Sequence, residues 1–221
     1  NVFVAASSGL FEQPLNGSVW NKVNSCPAIN PTVVFVDHLQ RIWVAGSHTL
    51  FYSDNDGSTW HVDTTGIHNK NVARVGDDLL GNIFVIVSNI FNFGPGDQLY
   101  RSQQGTGTFT RIDQRLRALN SQVDDSSIFN DVSGDSTSIF AATKFGQFQS
   151  ADDGATWQPV GGILSERVYG IIPAQSGRMI ITNSLGCFYR NAGDSVWNKT
   201  YPQNGYFGGQ HIYRDDNGTI Y

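Results

Sequence analysis

The feature that most constrains this chain is a short apolar signature that recurs about every 40 residues. It reads Asn1-Val-Phe-Val-Ala in its first copy and Arg41-Ile-Trp-Val-Ala in its second. The six copies begin at residues 1, 41, 82, 138, 178 and 219, so the intervals are 40, 41, 56, 40 and 41 residues. A fixed period of this length indicates an array of equivalent supersecondary units that stack on one another. We therefore expect one repeated framework, with a binding site where the repeat is broken.

Within each unit the same four apolar segments recur in the same order. The second unit begins with the run from Pro31 to Val36, and a polar turn separates this run from the signature. The third segment closes on Phe51, and the fourth begins at Trp60. Four short strands per 40 residues, separated by turn residues, are typical of a propeller blade. The sequence therefore predicts an all-β propeller of four-stranded antiparallel blades, with five blades visible.

The repeat also predicts how the chain is divided. We expect a single propeller domain over residues 1–221, with blades at about 1–30, 31–70, 71–125, 126–165 and 166–209. Residues 210–221 would supply the first strand, and the start of the second, of a closing blade or of the next one. A ring closed at five blades and a ring of six to eight are both compatible with this pattern, and the strand interrupted at Tyr221 favours the larger ring. In that case the open strand edges would associate with further blades or with other chains.

Composition excludes several classes of function. The net charge is −5 and no run of Lys or Arg occurs, which argues against a nucleic-acid surface. No apolar stretch approaches 18 residues, so we predict no transmembrane helix. The five histidines show no metal-ligand spacing, and no phosphate-loop or dinucleotide motif is present. The sequence thus predicts neither a metal site nor a cofactor.

Cysteines and asparagines point to the compartment. Cys26 and Cys187 can form one disulfide, which would join the first and fifth blades and favour closure at five. Three Asn-x-Ser/Thr triplets can accept N-linked glycans, at Asn16, Asn198 and Asn217. Together with the fold type, these features favour a secreted or cell-surface location, extracellular or periplasmic.

The turn between the third and fourth strands carries the most specific motif. The fourth unit fits the pattern Ser-x-Asp-x-Gly-x-x-Trp with Ser150, Asp152, Gly154 and Trp157. The second unit has Asn in place of Asp and fits with Ser53, Asn55, Gly57 and Trp60. This pattern closely resembles the Asp-box, or bacterial neuraminidase repeat, of the propeller superfold that includes sialidases, xyloglucanases and sortilin-like proteins. We interpret these residues as a lock on the hairpin, because Ser and Asp accept hydrogen bonds from turn N–H groups and Gly supplies a positive φ.

The third unit breaks the repeat with two insertions. Between Asn82 and Tyr100 the spacing is 18 residues where other units have 10, and between Phe109 and Ser138 it is 29 where others have 21 or 22. Both insertions are expected on one face of the propeller, beside the mouth of the central channel. Two loops that simply pack on each other, or an ordinary polar loop at 166–169, would also account for these features. The candidate ligand-binding residues on this face are Phe91, Phe93, Arg115, Arg117, Glu166, Arg167 and Tyr169.

Two functions follow from this pattern, and the first is preferred. It is a non-catalytic recognition or scaffold propeller that binds a glycan or a protein through loops on one face. The alternative is a glycoside hydrolase, sialidase-like or xyloglucanase-like, or a fragment of one. The resemblance to sialidases implies an arginine triad and a Tyr–Glu pair, but an Arg-Ile-Pro motif is absent and the only glutamates are Glu12 and Glu166. We therefore assign no catalytic residue.

The aspartates near the ends of the first strands provide the remaining carboxylates for a hydrolase. Asp77, Asp78, Asp131 and Asp135 lie in such positions. Asp37, Asp78 and Asp215 occupy one slot, four residues before the signature. Because equivalent residues in a repeat most simply play equivalent structural roles, we predict that these aspartates form turns.

Overall fold

The computed structural model describes residues 1–62, 65–88, 96–105, 107–118, 128–161, 167–174, 177–200, 212–215 and 219–220. These residues form 19 strands in five antiparallel sheets, and very little helix. The prediction of an all-β propeller with five blades is confirmed.

Four of the sheets contain four strands in sequence order, and the described part of the first sheet contains three. The first sheet consists of β1 (Val2–Ala6), β2 (Gly9–Gln13) and β3 (Asn21–Lys22). The second consists of β4 (Pro31–Val36), β5 (Ile42–Gly46), β6 (Thr49–Ser53) and β7 (His61–Val62). The third consists of β8 (Asn71–Asp77), β9 (Ile83–Ser88), β10 (Gln98–Ser102) and β11 (Phe109–Arg111).

The remaining two sheets repeat this arrangement. The fourth consists of β12 (Phe129–Gly134), β13 (Ile139–Thr143), β14 (Gly146–Ser150) and β15 (Gln158–Pro159). The fifth consists of β16 (Val168–Pro173), β17 (Met179–Asn183), β18 (Gly186–Arg190) and β19 (Asn198–Lys199). A short helix, α1 (Gln114–Ala118), lies between the third and fourth sheets in the chain. An isolated antiparallel bridge joins Arg214 to Ile220, so residues 212–215 and 219–220 resemble the first two strands of a further unit.

The signature strands β5, β9 and β13 are apolar on both faces because each packs against two neighbouring sheets. In β5, Ile42 and Val44 lie in the cluster shared with the first sheet, whereas Trp43 and Ala45 lie in the cluster shared with the third. The same alternation occurs in β13, where successive residues enter the cores on either side. The hydrophobic core is therefore divided into four layers, one between each pair of consecutive sheets.

The first strands of the four-stranded sheets, β4, β8, β12 and β16, are the innermost strands, and they share a local irregularity. In each four-stranded sheet the register between the first two strands shifts near the start of the first, as between Val72 and Arg74 or between Phe129 and Asp131. Such a bulge bends the strand and changes the direction of the following side chain. In the third and fourth sheets this places charged residues, Arg74 and Asp131, directly after the bulge.

Candidate functional site

The innermost strands enclose a cavity of about 910 Å³. Its wall is built from β4, β8, β12 and β16 together with residues 212–215. Although these strands also supply apolar atoms, the cavity is rich in polar and charged side chains. These are Thr32, His38, Gln40, Arg74, Asp77, Asp131, Ser133, Tyr213, Arg214 and Asp215.

The cavity extends toward one particular end of the channel. Besides the innermost strands, the cavity is lined by His38, Gln40 and Leu79, which lie in turns between first and second strands. In an antiparallel sheet these turns lie at the opposite end from the loops between second and third strands. The cavity therefore extends toward the end of the channel opposite to the turns between second and third strands.

Hydrogen bonds around the cavity connect neighbouring sheets. His38 in the turn after β4 donates its backbone N–H to Asp77 Oδ2 of β8 at 2.8 Å, and its Nδ1 lies 3.0 Å from the same oxygen. Asp131 of β12 accepts a hydrogen bond from the backbone N–H of Ile171 in β16 at 3.1 Å. Ser133 Oγ donates to the carbonyl oxygen of Ile171 at 2.6 Å. Side chains of one innermost strand thus bind the backbone edge of the next.

Two further hydrogen bonds also join neighbouring sheets around the cavity. Asn130 Nδ2 donates to the carbonyl oxygen of Val168 at 2.7 Å, and the Arg214 guanidinium donates to the carbonyl oxygen of Pro173. At Gly76 in β8, an added Cβ would overlap the carbonyl oxygen of Val132, so only glycine allows β8 and β12 to approach this closely. The innermost strands are therefore held edge to edge around the cavity.

Two of the carboxylates that line the cavity, Asp77 and Asp131, have raised pKa values. Burial raises the pKa of Asp77, and the hydrogen bonds from His38 oppose this effect. Burial raises the pKa of Asp131 to about 7, against the opposing effects of the N–H groups of Ile171 and Val132 and the charge of Arg74. Asp131 therefore changes charge near neutral pH, where most carboxylates stay ionised.

The cavity combines guanidinium groups, titrating carboxylates and polar side chains, and such a set can bind polar or charged ligands. Among the described residues no group of three or more His, Cys, Asp or Glu side chains is arranged to hold a metal ion.

The residues of the predicted Asp-boxes form hydrogen bonds within their own turns. In the fourth sheet the backbone N–H of Gly154 donates to Ser150 Oγ at 2.8 Å, and Ser150 Oγ donates to Asp152 Oδ1 at 2.9 Å. Thr156 donates both its N–H and its hydroxyl to Asp152, which lowers the pKa of that carboxyl. In the second sheet the N–H of Gly57 donates to Ser53 Oγ at 2.9 Å and that of Thr59 donates to Asn55 Oδ1 at 2.9 Å. These are the contacts of a hairpin lock.

The same turns also contact the preceding sheet, which the sequence did not indicate. Trp157 Nε1 donates to the carbonyl oxygen of Ile112, just after β11, at 2.9 Å. In the second sheet, Ser25 Oγ donates to the carbonyl oxygen of Gly57, and Trp60 Nε1 donates to that oxygen at 3.1 Å. The motif therefore locks each turn and also joins successive sheets near their outer strands.

The aspartates before the signatures are turn formers, as the repeat predicted. Asp37 accepts hydrogen bonds from the backbone N–H groups of Leu39 and Arg41, from Arg41 Nε, and from Trp43 Nε1. Asp78 accepts from the N–H groups of two residues in its turn, and Asp215 accepts from the N–H of Thr219. Asp135 plays the same part in the fourth sheet, through the N–H groups of residues 137 and 138.

The structure describes only part of the predicted ligand-binding set. Arg115 is exposed on α1, and Arg167 is exposed with its guanidinium 5.9 Å from the ring centre of Tyr169. Arg167 and Tyr169 are therefore in contact, and their role in ligand binding stays a prediction. Phe91, Phe93, Glu166 and the side chain of Arg117 lie outside the described residues.

Several cavity residues were missed or given another role by sequence reasoning. Arg214 and His38 were not selected, and Asp77 and Asp131 were considered only as weak catalytic candidates. One available signal was the polarity of the innermost strands. Arg74 interrupts Asn71–Asp77 and Asp131 interrupts Phe129–Gly134, whereas Pro31–Val36 contains no charge.

The predicted disulfide is not formed, since Cys26 and Cys187 are both free thiols. Cys26 packs against the core between the first and second sheets, whereas Cys187 lies on β18 of the fifth sheet opposite Thr182. The two cysteines therefore lie in different parts of the fold. Burial raises the pKa of the Cys26 thiol.

The predicted glycan acceptors are partly described. Asn16 and Asn198 are exposed, and Asn217 lies outside the described residues. In the described part of the chain, no helix has the length and apolar character needed to cross a membrane.

No protein-family model and no curated protein matches the chain. Among solved structures, an ancestral GH74 enzyme is similar with a TM-score of 0.66 and 17% identity, over 98% of this chain and 31% of that one. The extracellular domain of a protein described as a hybrid two-component system from B. thetaiotaomicron gives a TM-score of 0.68 and 12% identity, over 99% and 29%. YCF48 bound to D1 peptide gives a TM-score of 0.53 and 13% identity, over 86% and 59%.

These similarities establish the propeller fold alone, because all three identities are below one fifth. The chain spans less than a third of the length of the first two structures and about three fifths of YCF48.

Proposed function

We propose that this chain is a single propeller domain that acts as a non-catalytic recognition module and binds a glycan or protein ligand in its central cavity. The observation that carries the proposal is the convergence of polar and charged side chains on a cavity of about 910 Å³. Four sheets and residues 212–215 contribute to it, so the site exists only when the sheets are assembled. Clefts and cavities of about 300–1,000 Å³ that combine apolar walls with a few precisely placed polar groups are typical ligand sites.

The insertion-loop residues form a second proposed contact surface at the other end of the channel. Phe91, Phe93 and Arg115 are its main members, with Arg167 and Tyr169 at the channel mouth. This surface rests on the break in the repeat and on the contact between Arg167 and Tyr169.

The structural neighbours support a recognition role in a secreted or cell-surface setting. One is the extracellular domain of a two-component system, one is bound to a peptide, and one is a GH74 enzyme. A glycan and a peptide are therefore both reasonable ligands for this chain.

The carboxylates favour recognition over catalysis. Glycoside hydrolysis by the common mechanisms needs two carboxyl groups that flank the scissile bond. Asp37, Asp78, Asp135 and Asp215 are engaged in turns, and Asp77 is engaged with His38. Among the described residues that line the cavity, Asp131 is then the one carboxylate that remains for such a pair.

The binding test compares the two surfaces. The chain is applied to a glycan array and to a peptide array, together with Arg74→Gln in the cavity and Phe91→Ala/Phe93→Ala in the insertion loop. Arg178→Gln is the matched control, because Arg178 is an exposed arginine outside the cavity. We expect loss of binding with Arg74→Gln and retained binding with Arg178→Gln. Failure of the unmodified chain to bind any glycan or peptide would overturn the proposal.

A glycoside hydrolase is the second candidate, and one observation favours it. The pKa of about 7 at Asp131 lies in the range of a general acid near neutral pH. The test is turnover of a fluorogenic sialoside and of a β-glucan by the chain and by Asp131→Asn. We expect no turnover by either protein. Turnover that Asp131→Asn abolishes would replace the recognition proposal by this one.

A further inference from the structure

The first sheet has an apolar face that no sheet covers in the part of the chain that the structure describes. It consists of Val2 and Val4 on β1 and of Trp20 just before β3, and each of these side chains is 42% or 43% exposed. Val2 and Val4 point to the same side of their strand. The registers of β1 with β2 and of β2 with β3 continue to place Val2, Gln13 and Trp20 in one row across the sheet. We call the three apolar side chains the first-sheet face.

The repeat shows what covers the equivalent face in the other sheets. In the second sheet the same three positions hold Ile42, Val44 and Trp60, and they pack in the cluster shared with the first sheet. The equivalent triplets in the third, fourth and fifth sheets are Ile83, Val85 and Phe109; Ile139, Ala141 and Trp157; and Met179, Ile181 and Trp197. All nine of these side chains are at most 7% exposed, because the preceding sheet covers them. The chemistry of the first-sheet face therefore fits another sheet of the same kind.

The first sheet is also open at one edge. In the second sheet the signature strand β5 pairs with β4 on one side and with β6 on the other. Among the described residues β1 pairs with β2 alone, so the first sheet lacks an innermost strand. An exposed strand edge is a template for the addition of a further strand. A partner that supplies both an innermost strand and an apolar sheet face would complete this sheet.

Residues 212–215 have the matching half of such a contact. They follow β16 in the position of a further innermost strand, because Ile212 Cγ1 would lie 3.0 Å from a Cβ added at Gly170. The Arg214 guanidinium also donates to a backbone carbonyl of β16. In the described residues this strand has one isolated bridge to a following strand, from Arg214 to Ile220, whereas β4 pairs with β5 along its length.

The repeat assigns the position beside 212–215 to a signature strand. Residues 219–220 and residues 1–2 are the same two positions of that signature. β1 has five residues that all pair with β2, so beside 212–215 it would form a ladder where 219–220 form a single bridge. The first-sheet face would then lie on the fifth sheet. On that side the fifth sheet presents Ile180, which lies between two residues that face the fourth sheet, and Tyr189 opposite it, and neither is fully buried.

We propose that copies of this chain associate head to tail. β1 of one copy takes the place of residues 219–220 beside the strand 212–215 of a second copy, and the first-sheet face packs on the fifth sheet of that copy. A second copy brings both missing parts at once, an innermost strand and an apolar sheet face. The first-sheet face is not part of the cavity wall, so this inference does not depend on the ligand proposed above. Heterologous contacts of this kind form a closed ring or an open series of copies.

The experiment is sedimentation velocity from about 1 to about 100 μM, a range that covers dissociation constants of moderate interfaces. We expect the unmodified chain to exceed its monomer mass of 24.2 kDa as concentration rises. Val4→Asp buries a charge in the interface and should weaken association about a hundredfold or more. Val62→Asp is the matched control, because Val62 is a 63% exposed valine on the outer strand β7, and it should associate like the unmodified chain.

A mixing experiment tests the head-to-tail arrangement itself. Arg214→Pro removes an N–H from the receiving strand and should also be monomeric. Val4→Asp keeps an intact receiving strand, and Arg214→Pro keeps an intact first-sheet face. The two variants should therefore form a one-to-one dimer when mixed, and the amide hydrogens of β1 in Arg214→Pro should exchange more slowly in the mixture than alone. Circular dichroism of every variant separates loss of association from loss of fold.

Each other outcome overturns a part of the proposal. An unmodified chain that stays monomeric with slowly exchanging β1 amides would show a ring closed within one chain. A monomer with rapidly exchanging β1 amides would show that the first-sheet face is not an interface between copies. Self-association of Arg214→Pro would replace the head-to-tail contact by one between two first-sheet faces, and a mixture without dimer would exclude the exchange of β1 for residues 219–220.

Discussion

Replacement of Gly154 by alanine tests whether the turn between β14 and β15 is constrained mainly by its own backbone or by the sheet before it. Gly154 has a φ of +87°, and a Cβ added there would lie 2.5 Å from Ile112 Cβ and 3.1 Å from two further Ile112 atoms. The substitution therefore introduces two separate penalties: a strained backbone and a clash with the preceding sheet. The turn offers no flexible side-chain end that could move away, because the nearest atom is a Cβ.

The magnitudes can be worked out separately. An L-residue in the left-handed region costs about 1–2 kcal/mol. Forcing an extra methyl group into a packed site costs typically about 1–3 kcal/mol more. Gly154→Ala should thus lower the free energy of unfolding by about 2–5 kcal/mol. Gly193 is a matched control in the corresponding turn of the fifth sheet, with a φ of +84° and nothing within 4 Å of an added Cβ, so Gly193→Ala carries only the backbone penalty.

The assay is equilibrium unfolding in urea, followed by tryptophan fluorescence, for the unmodified chain and both variants. A shift of the midpoint at constant slope reports the change in stability. We expect Gly154→Ala to lose at least about 1 kcal/mol more than Gly193→Ala, the lower end of the overpacking cost. Equal losses in the two variants would refute the reasoning, because the contact with Ile112 would then have no energetic weight.

Three further predictions concern buried polar groups. Asp37→Ala should lower the free energy of unfolding by about 3–5 kcal/mol, because it removes a buried carboxylate that accepts several hydrogen bonds. Asp135→Ala, in an exposed turn, should lower it by only about 1 kcal/mol. Similar losses for the two variants in chemical denaturation would contradict this prediction. Asp131 holds in the folded state a proton that the unfolded chain releases, so stability should fall as pH rises from about 4 to about 7 and level off above it. Asp131→Asn should remove that slope in urea unfolding at several pH values, and a parallel profile would argue against a raised pKa. Trp157→Phe removes the hydrogen-bond donor to the Ile112 carbonyl oxygen and should lower the free energy of unfolding by about 1–3 kcal/mol. The loss should appear as a lower Tm, and an unchanged Tm would show that this hydrogen bond does not contribute to stability.

Much of the fold could be predicted because its signals are local. The signature strands begin at Ile42, Ile83, Ile139 and Met179, each one residue after the predicted start. The double-sided apolarity of β5, β9 and β13 follows from the packing of the second, third and fourth sheets between two others. The hydrogen bonds that close these turns internally span no more than four residues, so the sequence pattern contains the structure of each turn but not its contact with the preceding sheet.

The site was harder to predict because its members are distant in sequence. Asp77 and Asp78 are adjacent, yet Asp78 caps its own turn and Asp77 binds His38 of the neighbouring sheet. The slot four residues before the signature marks Asp78 as a turn former, but nothing in the local pattern indicates that Asp77 binds His38. Likewise, the insertions drew attention to one face, whereas the cavity extends toward the other.

Two boxes with nearly the same sequence also differ in a way that the motif does not encode. Trp157 is only 3% exposed and bonds to the carbonyl oxygen of Ile112 in the sheet before it. Trp60 is half-buried and bonds mainly to the carbonyl oxygen of Gly57 in its own turn. The difference depends on how each turn meets the preceding sheet.

The sequence by itself determined the repeating unit, the order of its strands and the chemistry of its turns, because these depend on contacts within about 40 residues. Only the tertiary structure decided which side chains meet on the axis. Arg74, Asp131 and Arg214 come from three different units, and they line one cavity because the innermost strands pack edge to edge. The raised pKa of Asp131 has the same origin, because burial of a carboxylate is a property of the assembled sheets and not of any one of them.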